Sequence, residues 1–286
     1  MRRTILLIFL SLATVAANAQ QQISIWPDAT PRSIPVDSTS IPGDPLAYNI
    51  VQPVLTWYPA KGANAVGTSV IICPGGSFCY LHIKTEGTDV AGWLNQRGVA
   101  AFILQYRVVH SETSHPMQEK TERMKDTANA RRLVTPVVAM AIADGRQALT
   151  YVRQHARELG IDPDKIGIIG FSAGGALASA SAFDYTTDNR PDFIAPIYPF
   201  VPPFLSAPPP KDAPPLFIAA ATDDEYHLVP MSLGLYSKWL ATGHSAEIHI
   251  YSKGGHGFGM NRQNQPSDTW IDRFGDWLEI QGFLKK

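Results

Sequence analysis

A serine between two glycines lies where an apolar run gives way to small residues, at Gly170-Phe171-Ser172-Ala173-Gly174. The run at 166–169 reads as a buried strand, and the residues after the serine suit a closely packed helix. A sharp strand-to-helix turn of this kind exposes a serine hydroxyl, and the flanking glycines leave room for the neighbouring backbone. The bare motif is weak, but this setting strengthens it. Ser172 is therefore predicted to be a nucleophile.

A serine hydroxyl needs a base to remove its proton, and the base needs a carboxylate to hold its ring in the right tautomer. His256 lies in Gly254-Gly255-His256-Gly257 just past one apolar run, and Asp223 and Asp224 follow another. The order serine, aspartate, histidine and the position of each after a predicted strand favour His256 over a simple loop histidine. Asp224 is the preferred orienting carboxylate, with Asp223 as the alternative. Either aspartate could instead cap a turn.

A second glycine turn, Cys73-Pro74-Gly75-Gly76-Ser77, ends another apolar run and precedes a helical pattern. Acyl transfer develops negative charge on a carbonyl oxygen, and each well-placed backbone N–H is worth roughly 3 kcal/mol there. We predict such an oxyanion hole from the N–H groups of Gly76, Ser77 and Ala173. Pro-Gly-Gly alone would indicate no more than a tight turn. Ser172 and His256 in the same chain favour the oxyanion hole.

Continuous apolar runs alternate with helical patterns, which predicts an α/β fold with a mostly parallel sheet and helices on both faces. The strands are predicted at 54–58, 69–73, 100–104, 166–169, 216–220 and 248–251, and the shorter helices at 88–97, 176–183, 231–242 and 268–284. The clearest helix has an apolar stripe from Val138 to Leu159, with Thr135-Pro136 at its start and Gly160 at its end. The polar, aperiodic segment 108–132 is predicted to be an insertion near the site, or equally a mobile surface loop.

Composition excludes several classes of function. The 286 residues carry a net charge of −1 and 45% are hydrophobic, which suits a packed core and offers no basic surface for nucleic acid. Met1-Arg2-Arg3, the apolar run 5–15 and Ala17-Asn18-Ala19 predict a Sec signal peptide over 1–19, followed by one domain over 20–286. The run is short for a membrane anchor, so export to the periplasm or the exterior is expected. Cys73 and Cys79 are expected to be buried free thiols, although an oxidising compartment would permit a bridge.

Together these motifs resemble the α/β-hydrolase superfamily, and within it the bacterial esterases and lipases associated with acetyl xylan esterases and feruloyl esterases. The resemblance covers most of the chain after the leader. It is carried by the turn at 73–77, Glu86-Gly87, Trp93-Leu94-Asn95, Tyr106-Arg107, the run 161–175 and the loop 254–259. It implies an α/β-hydrolase fold, a catalytic triad of Ser172, Asp224 and His256, and an acyl-enzyme mechanism that requires no metal or cofactor. Pro74 and Ser77 differ from the related lipase branch, which has histidine and glycine there.

The resemblance implies hydrolysis of a small-molecule or polysaccharide acyl ester, most simply acetyl on xylan. Tyr80, His82, Tyr226 and Trp270 could line a carbohydrate site, although scattered aromatic residues more often belong to the core or the surface. One alternative is a prolyl-oligopeptidase-type peptidase, but the chain lacks room for the propeller that such enzymes usually add. The other is an inactive binding module, and the complete triad argues against it. Because free imidazole titrates at about pH 6.5, activity is predicted to fall as pH drops through that range and the histidine base becomes protonated.

Overall fold

The computed structural model describes residues 21–27, 33–60 and 64–285, so the predicted leader at 1–19 lies outside the described residues. The strands are β1 (Gln22–Ser24), β2 (Val36–Asp37), β3 (Leu46–Ala47), β4 (Val54–Tyr58), β5 (Ser69–Cys73), β6 (Leu81–His82), β7 (Ala100–Gln105), β8 (Ile166–Phe171), β9 (Phe193–Ile197), β10 (Leu216–Ala221) and β11 (Ala246–Tyr251). The helices are α1 (Asp89–Gln96), α2 (Pro116–Arg123), α3 (Thr127–Gln154), α4 (Ala173–Ala180), α5 (Val229–Ala241) and α6 (Trp270–Ile280). A π-helical turn (Lys84–Thr88) precedes α1, and a 3-10 turn (Pro266–Thr269) precedes α6.

Eight strands form one sheet in the order β1-β4-β7-β5-β8-β9-β10-β11. The pairs from β7 to β11 are parallel, and β1 and β4 add an antiparallel edge. This architecture confirms the predicted α/β-hydrolase fold class. Since Cys73 pairs with Gly170 and Phe171 with Ile197, β5, β8 and β9 end at the same edge. The loops that follow these strands therefore meet there.

Helices cover both faces of the sheet, as continuous apolarity in the strands predicts. Successive residues of β5 face opposite sides: Ile71 packs in a cluster with α3, α4 and α5, whereas Ile72 packs in another with α1 and α6. All five residues of β5 and all six of β8 are buried. The sheet therefore forms a rigid base for its edge loops.

The start predicted for the long helix, at Thr135-Pro136, is wrong: α3 begins at Thr127, and Pro136 lies inside it. Asp126 is its N-cap and accepts a hydrogen bond from the Asn129 N–H at 3.0 Å. The first turns of α3 are largely exposed, so they lack the apolar period that marks a packed helix. Segment 108–132 is therefore more ordered than a loop, because it contains α2 and the beginning of α3.

The sequence analysis missed β1, β9 and the small antiparallel sheet of β2, β3 and β6. β9 contains Pro196, a residue that argues against a central strand because it has no N–H for the ladder. The strands of the small sheet have two residues each, too few to show a period. Cys73 and Cys79 are free and buried, as expected. No helix in the described part of the chain is both long and apolar enough to cross a bilayer.

Candidate active site

Three loops at the carboxyl edge of the sheet bring Ser172, Asp224 and His256 together. These residues follow β8, β10 and β11, respectively. His256 Nε2 lies 2.7 Å from Ser172 Oγ, and His256 Nδ1 lies 3.0 Å from Asp224 Oδ2. Asp224 is only 1% exposed, so its carboxylate is shielded from competing water. In this geometry the serine hydroxyl can donate to an imidazole whose other nitrogen is held by a carboxylate.

Ser172 has an uncommon backbone conformation, with φ 50° and ψ −111°. A non-glycine residue in such a region costs about 1–3 kcal/mol, which the surrounding structure must offset. The flanking glycines let the turn pack tightly. A Cβ on Gly170 would lie 2.0 Å from the Gly174 carbonyl oxygen, and a Cβ on Gly174 would lie 2.0 Å from the Cys73 carbonyl oxygen. The turn after β8 thus fits closely against the end of β5.

The acidic residues on either side of Asp224 bind the backbone of the histidine loop. Asp223 Oδ1 accepts from the Gly255 N–H at 2.8 Å, and Glu225 Oε2 accepts from the His256 N–H at 2.9 Å. The hydrogen bond from Gly255 lowers the pKa of Asp223. Of the two candidate carboxylates, Asp224 is therefore the one that reaches the imidazole. Asp223 shapes the loop that carries it.

The predicted oxyanion loop follows β5 and packs against the serine turn. The backbone has φ 141° at Gly76 and 57° at Ser77. A Cβ at Gly76 would lie 1.9 Å from the Tyr80 carbonyl oxygen, so only glycine fits there. Within the described residues, the N–H groups of Gly76, Ser77 and Ala173 donate to no protein acceptor. These three donors are therefore available to a ligand.

A buried carboxylate, that of Glu86, holds this loop in place through a hydrogen bond to its backbone. Glu86 is 2% exposed, and its Oε2 accepts from the Gly75 N–H at 2.6 Å. Its Oε1 accepts from the Tyr198 hydroxyl at 2.7 Å, and that hydroxyl accepts in turn from the Gly259 N–H at 3.0 Å. The Gly259 carbonyl receives the Trp270 indole N–H at 2.7 Å. One chain of hydrogen bonds thus connects the oxyanion loop to the histidine loop.

Sequence reasoning did not identify this connection. Glu86 contributed only to the family resemblance, and Tyr198 follows β9, the strand that was missed. The Tyr198 ring meets the His256 ring edge to face, with centroids 5.0 Å apart. Burial and the neighbouring Glu86 raise the pKa of Tyr198 well above its ordinary value, so the hydroxyl keeps its proton to donate. A tyrosine after a strand carries no local signal for this role.

A cleft of about 550 Å³ opens beside His256. Tyr80, His82 and Tyr226, three of the four residues suggested for a carbohydrate site, line it. Trp270 does not: it is 1% exposed and belongs to the core beneath the histidine loop. Met117 of α2 also lines the cleft, so the polar segment at 108–132 borders the site. In the described ranges no cluster of three side chains could hold a metal ion.

The eight-stranded sheet and the serine turn after β8 give the chain the α/β-hydrolase fold. The BD-FAE family model matches residues 127–194, which include Ser172. The chain is 27% identical over 248 residues to the acetylxylan esterase of Xylanibacter ruminicola, covering 76% of this chain and 46% of that protein. It is 43% identical over 63 residues to the arylesterase of Saccharolobus solfataricus, covering 21% of this chain and 20% of that protein. The chain therefore spans less than half the length of these two relatives.

Solved structures share this fold. The acetyl ester-xyloside bifunctional hydrolase of Caldicellulosiruptor lactoaceticus superposes with a TM-score of 0.66 and 25% identity, covering 92% of this chain and 97% of that one. A thermophilic esterase from Thermogutta terrifontis gives a TM-score of 0.63 with 20% identity, covering 85% and 94%. The resemblance to the esterase group of the α/β-hydrolases is thus confirmed.

Proposed function

We propose that this chain is a serine esterase that hydrolyses acyl esters, most simply acetyl esters on a plant polysaccharide such as xylan. The observation that carries the proposal is the pair of contacts from His256, at 2.7 Å to Ser172 Oγ and at 3.0 Å to Asp224 Oδ2. A hydroxyl, an imidazole and a buried carboxylate in this order are the parts that acyl transfer requires. The names of the similar proteins support an ester as the substrate and a xyloside as its context.

In the proposed mechanism, His256 Nε2 takes the Ser172 proton while Oγ attacks the ester carbonyl. The resulting oxyanion is stabilised by the N–H groups of Gly76, Ser77 and Ala173. The C–O bond to the alcohol then breaks, and the imidazolium returns its proton to the departing oxygen. The same histidine deprotonates a water molecule, which attacks the acyl-enzyme. The bond to Ser172 Oγ then breaks, the imidazolium returns its proton to Oγ, and the acid is released. Asp224 stabilises the imidazolium in both halves of the reaction.

A polymeric substrate also agrees with the predicted leader at 1–19, which would export the chain to the periplasm or the exterior. The cleft beside His256 is open and largely lined by polar and aromatic side chains, including His82 and Tyr226. Such a lining suits an alcohol with several hydroxyl groups better than a long acyl chain, which needs an apolar tunnel. The proposed substrate is therefore a short acyl group on a sugar.

Hydrolysis of aryl acetate, butyrate and ferulate, measured beside acetate release from acetylated xylan, tests the proposal. We expect the acetate esters to be the best substrates and Ser172→Ala to abolish their turnover. A fluorophosphonate probe should label the wild type and not this variant. Cleavage of an aminoacyl-arylamide without cleavage of any ester would instead identify a peptidase. Failure of the probe to label Ser172 would indicate an inactive binding module.

A further inference from the structure

A second histidine in the cleft has a carboxylate partner of its own. His82 Nδ1 lies 2.8 Å from Asp44 Oδ2. Asp44 is 4% exposed and also accepts from the Lys84 N–H at 2.9 Å and the Thr85 hydroxyl at 2.7 Å. Because these donors hold the carboxylate in place, Asp44 fixes both the orientation of the His82 ring and which nitrogen remains for other partners.

His82 lies next to the predicted oxyanion loop. Its backbone N–H donates to the Gly75 carbonyl at 3.1 Å, one residue before Gly76. Its side chain is 23% exposed and lines the same cleft as His256. With Nδ1 bound to Asp44, Nε2 is the nitrogen left to bind a ligand, and it has no hydrogen-bond partner in the described part of the protein.

The charges around His82 favour the protonated form of its imidazole. Burial lowers the pKa of His82, but the hydrogen bond to Asp44 and the negative charges of Glu86 and Asp44 outweigh it, so the pKa lies above its ordinary value. The Lys84 ammonium is bound to Asp89 at 2.6 Å. The Tyr80 ring meets His82 edge to face, with centroids 5.5 Å apart. The imidazolium form of His82, in which Nε2 donates, therefore persists to a higher pH than in a free imidazole. In the neutral ring the proton stays on Nδ1 beside Asp44, and Nε2 accepts a hydrogen bond instead.

We propose that His82 is a specificity-determining residue whose Nε2 forms a hydrogen bond with a hydroxyl group of the substrate's alcohol. Asp44 and Glu225 border the same cleft, so an anionic alcohol would meet two carboxylates, whereas a neutral polyol can use both donors and acceptors. Tyr226 is 51% exposed at the cleft and offers an aromatic surface for a sugar ring. This inference rests on the proposed esterase function.

The test compares an acetylated methyl β-xyloside, which has such hydroxyl groups, with phenyl acetate, whose leaving group lacks them. We expect His82→Ala to lower the ratio of kcat/KM for the sugar ester to kcat/KM for phenyl acetate by about tenfold, the loss of one hydrogen bond. The loss should appear mainly in KM of the sugar ester. His82→Gln, which keeps an N–H donor, should restore part of the ratio. His115→Ala is the matched control, since that side chain is 53% exposed.

An unchanged ratio in His82→Ala would overturn the inference, whether both activities stay the same or both fall equally. An equal fall would show that the His82–Asp44 pair only anchors the loop. If neither His82 variant folds, the wild type still decides: a chain that hydrolyses phenyl acetate and ignores the sugar ester has no such subsite. In that case the serine esterase proposal stands. A chain inactive on both esters, with Ser172 unlabelled by fluorophosphonate, would overturn both proposals.

Discussion

Removal of the Tyr198 hydroxyl tests the connection between the two active-site loops. In Tyr198→Phe the ring and its packing remain, but two hydrogen bonds are lost: the one to Glu86 at 2.7 Å and the one from Gly259 at 3.0 Å. Both partners are buried. An unpaired buried polar group costs about 1–3 kcal/mol, and more when it is charged, so we expect the free energy of unfolding to fall by about 4 kcal/mol.

Chemical denaturation with a matched control measures this loss. Tyr185→Phe also removes a tyrosine hydroxyl that is hydrogen-bonded to a carboxylate, that of Asp212 at 2.8 Å, but this contact is exposed to solvent. A surface change of this kind should alter the unfolding free energy by about 0.5 kcal/mol or less. Equal losses in the two variants would refute the argument that Glu86 depends on Tyr198 for its second hydrogen bond.

The same variant should affect turnover. Tyr198 contacts His256 and, through Glu86, holds the Gly75 N–H. A displacement of about 1 Å in a catalytic group can cost about 100-fold in rate. We therefore expect kcat for phenyl acetate to fall by up to about 100-fold in Tyr198→Phe, with KM much less affected. An unchanged kcat would show that the hydroxyl stabilises the fold without positioning the site.

Three further results are expected. Asp224→Asn should lower kcat by about 10⁴-fold through loss of the correct imidazole tautomer, and Asp223→Asn by far less; comparable losses in steady-state assays would contradict the assignment. Gly174→Ala should fail to fold or lose activity, since its Cβ would lie 2.0 Å from the Cys73 carbonyl oxygen, and a native melting curve with full activity would rule out that close contact. Because the folded pKa of His82 is raised, its stabilising effect should be complete below about pH 6.5 and vanish as pH rises through the folded pKa. The difference in unfolding free energy between wild type and His82→Ala should shrink over that window, and a growing difference would reverse the sign of the argument.

The strands of the central sheet could largely be predicted because burial on both faces demands continuous apolar runs. Residues 69–73 of β5, for example, were identified without ambiguity. β9 was not predicted because it contains Pro196. Proline has no N–H to donate to a neighbouring strand, so a proline normally argues against a central strand. The beginning of α3 was not predicted because it is exposed, unlike the strands of the sheet. It extends into solvent from its cap at Asp126, so no apolar period marks it.

The same contrast holds in the site. Ser172 and His256 have local signatures, because the strained turn needs glycines and the histidine loop is itself rich in glycine. The sequence favoured Asp224 but left Asp223 as an alternative, although successive residues after a strand point in different directions and only one of them can face the histidine. In the structure the two neighbours differ completely, since Asp224 meets the imidazole and Asp223 meets the Gly255 N–H.

Glu86 and Asp44 show why the supporting residues escaped prediction. Each is a buried carboxylate held mainly by backbone N–H and hydroxyl donors, and such donors are too common in a chain to mark a site. Glu86 meets Tyr198 across 112 positions of sequence, and Asp44 meets His82 across 38. A buried carboxylate without hydrogen-bond donors would strongly destabilise the fold. Glu86 and Asp44 therefore keep their donors close and hold distant segments of the chain together at the cleft. The predicted oxyanion loop lies between the two segments so held, because Glu86 accepts from the Gly75 N–H and the backbone N–H of His82 donates to the Gly75 carbonyl. Gly75 is therefore held at both its N–H and its carbonyl, which would preorganise the N–H groups of Gly76 and Ser77 for the proposed oxyanion.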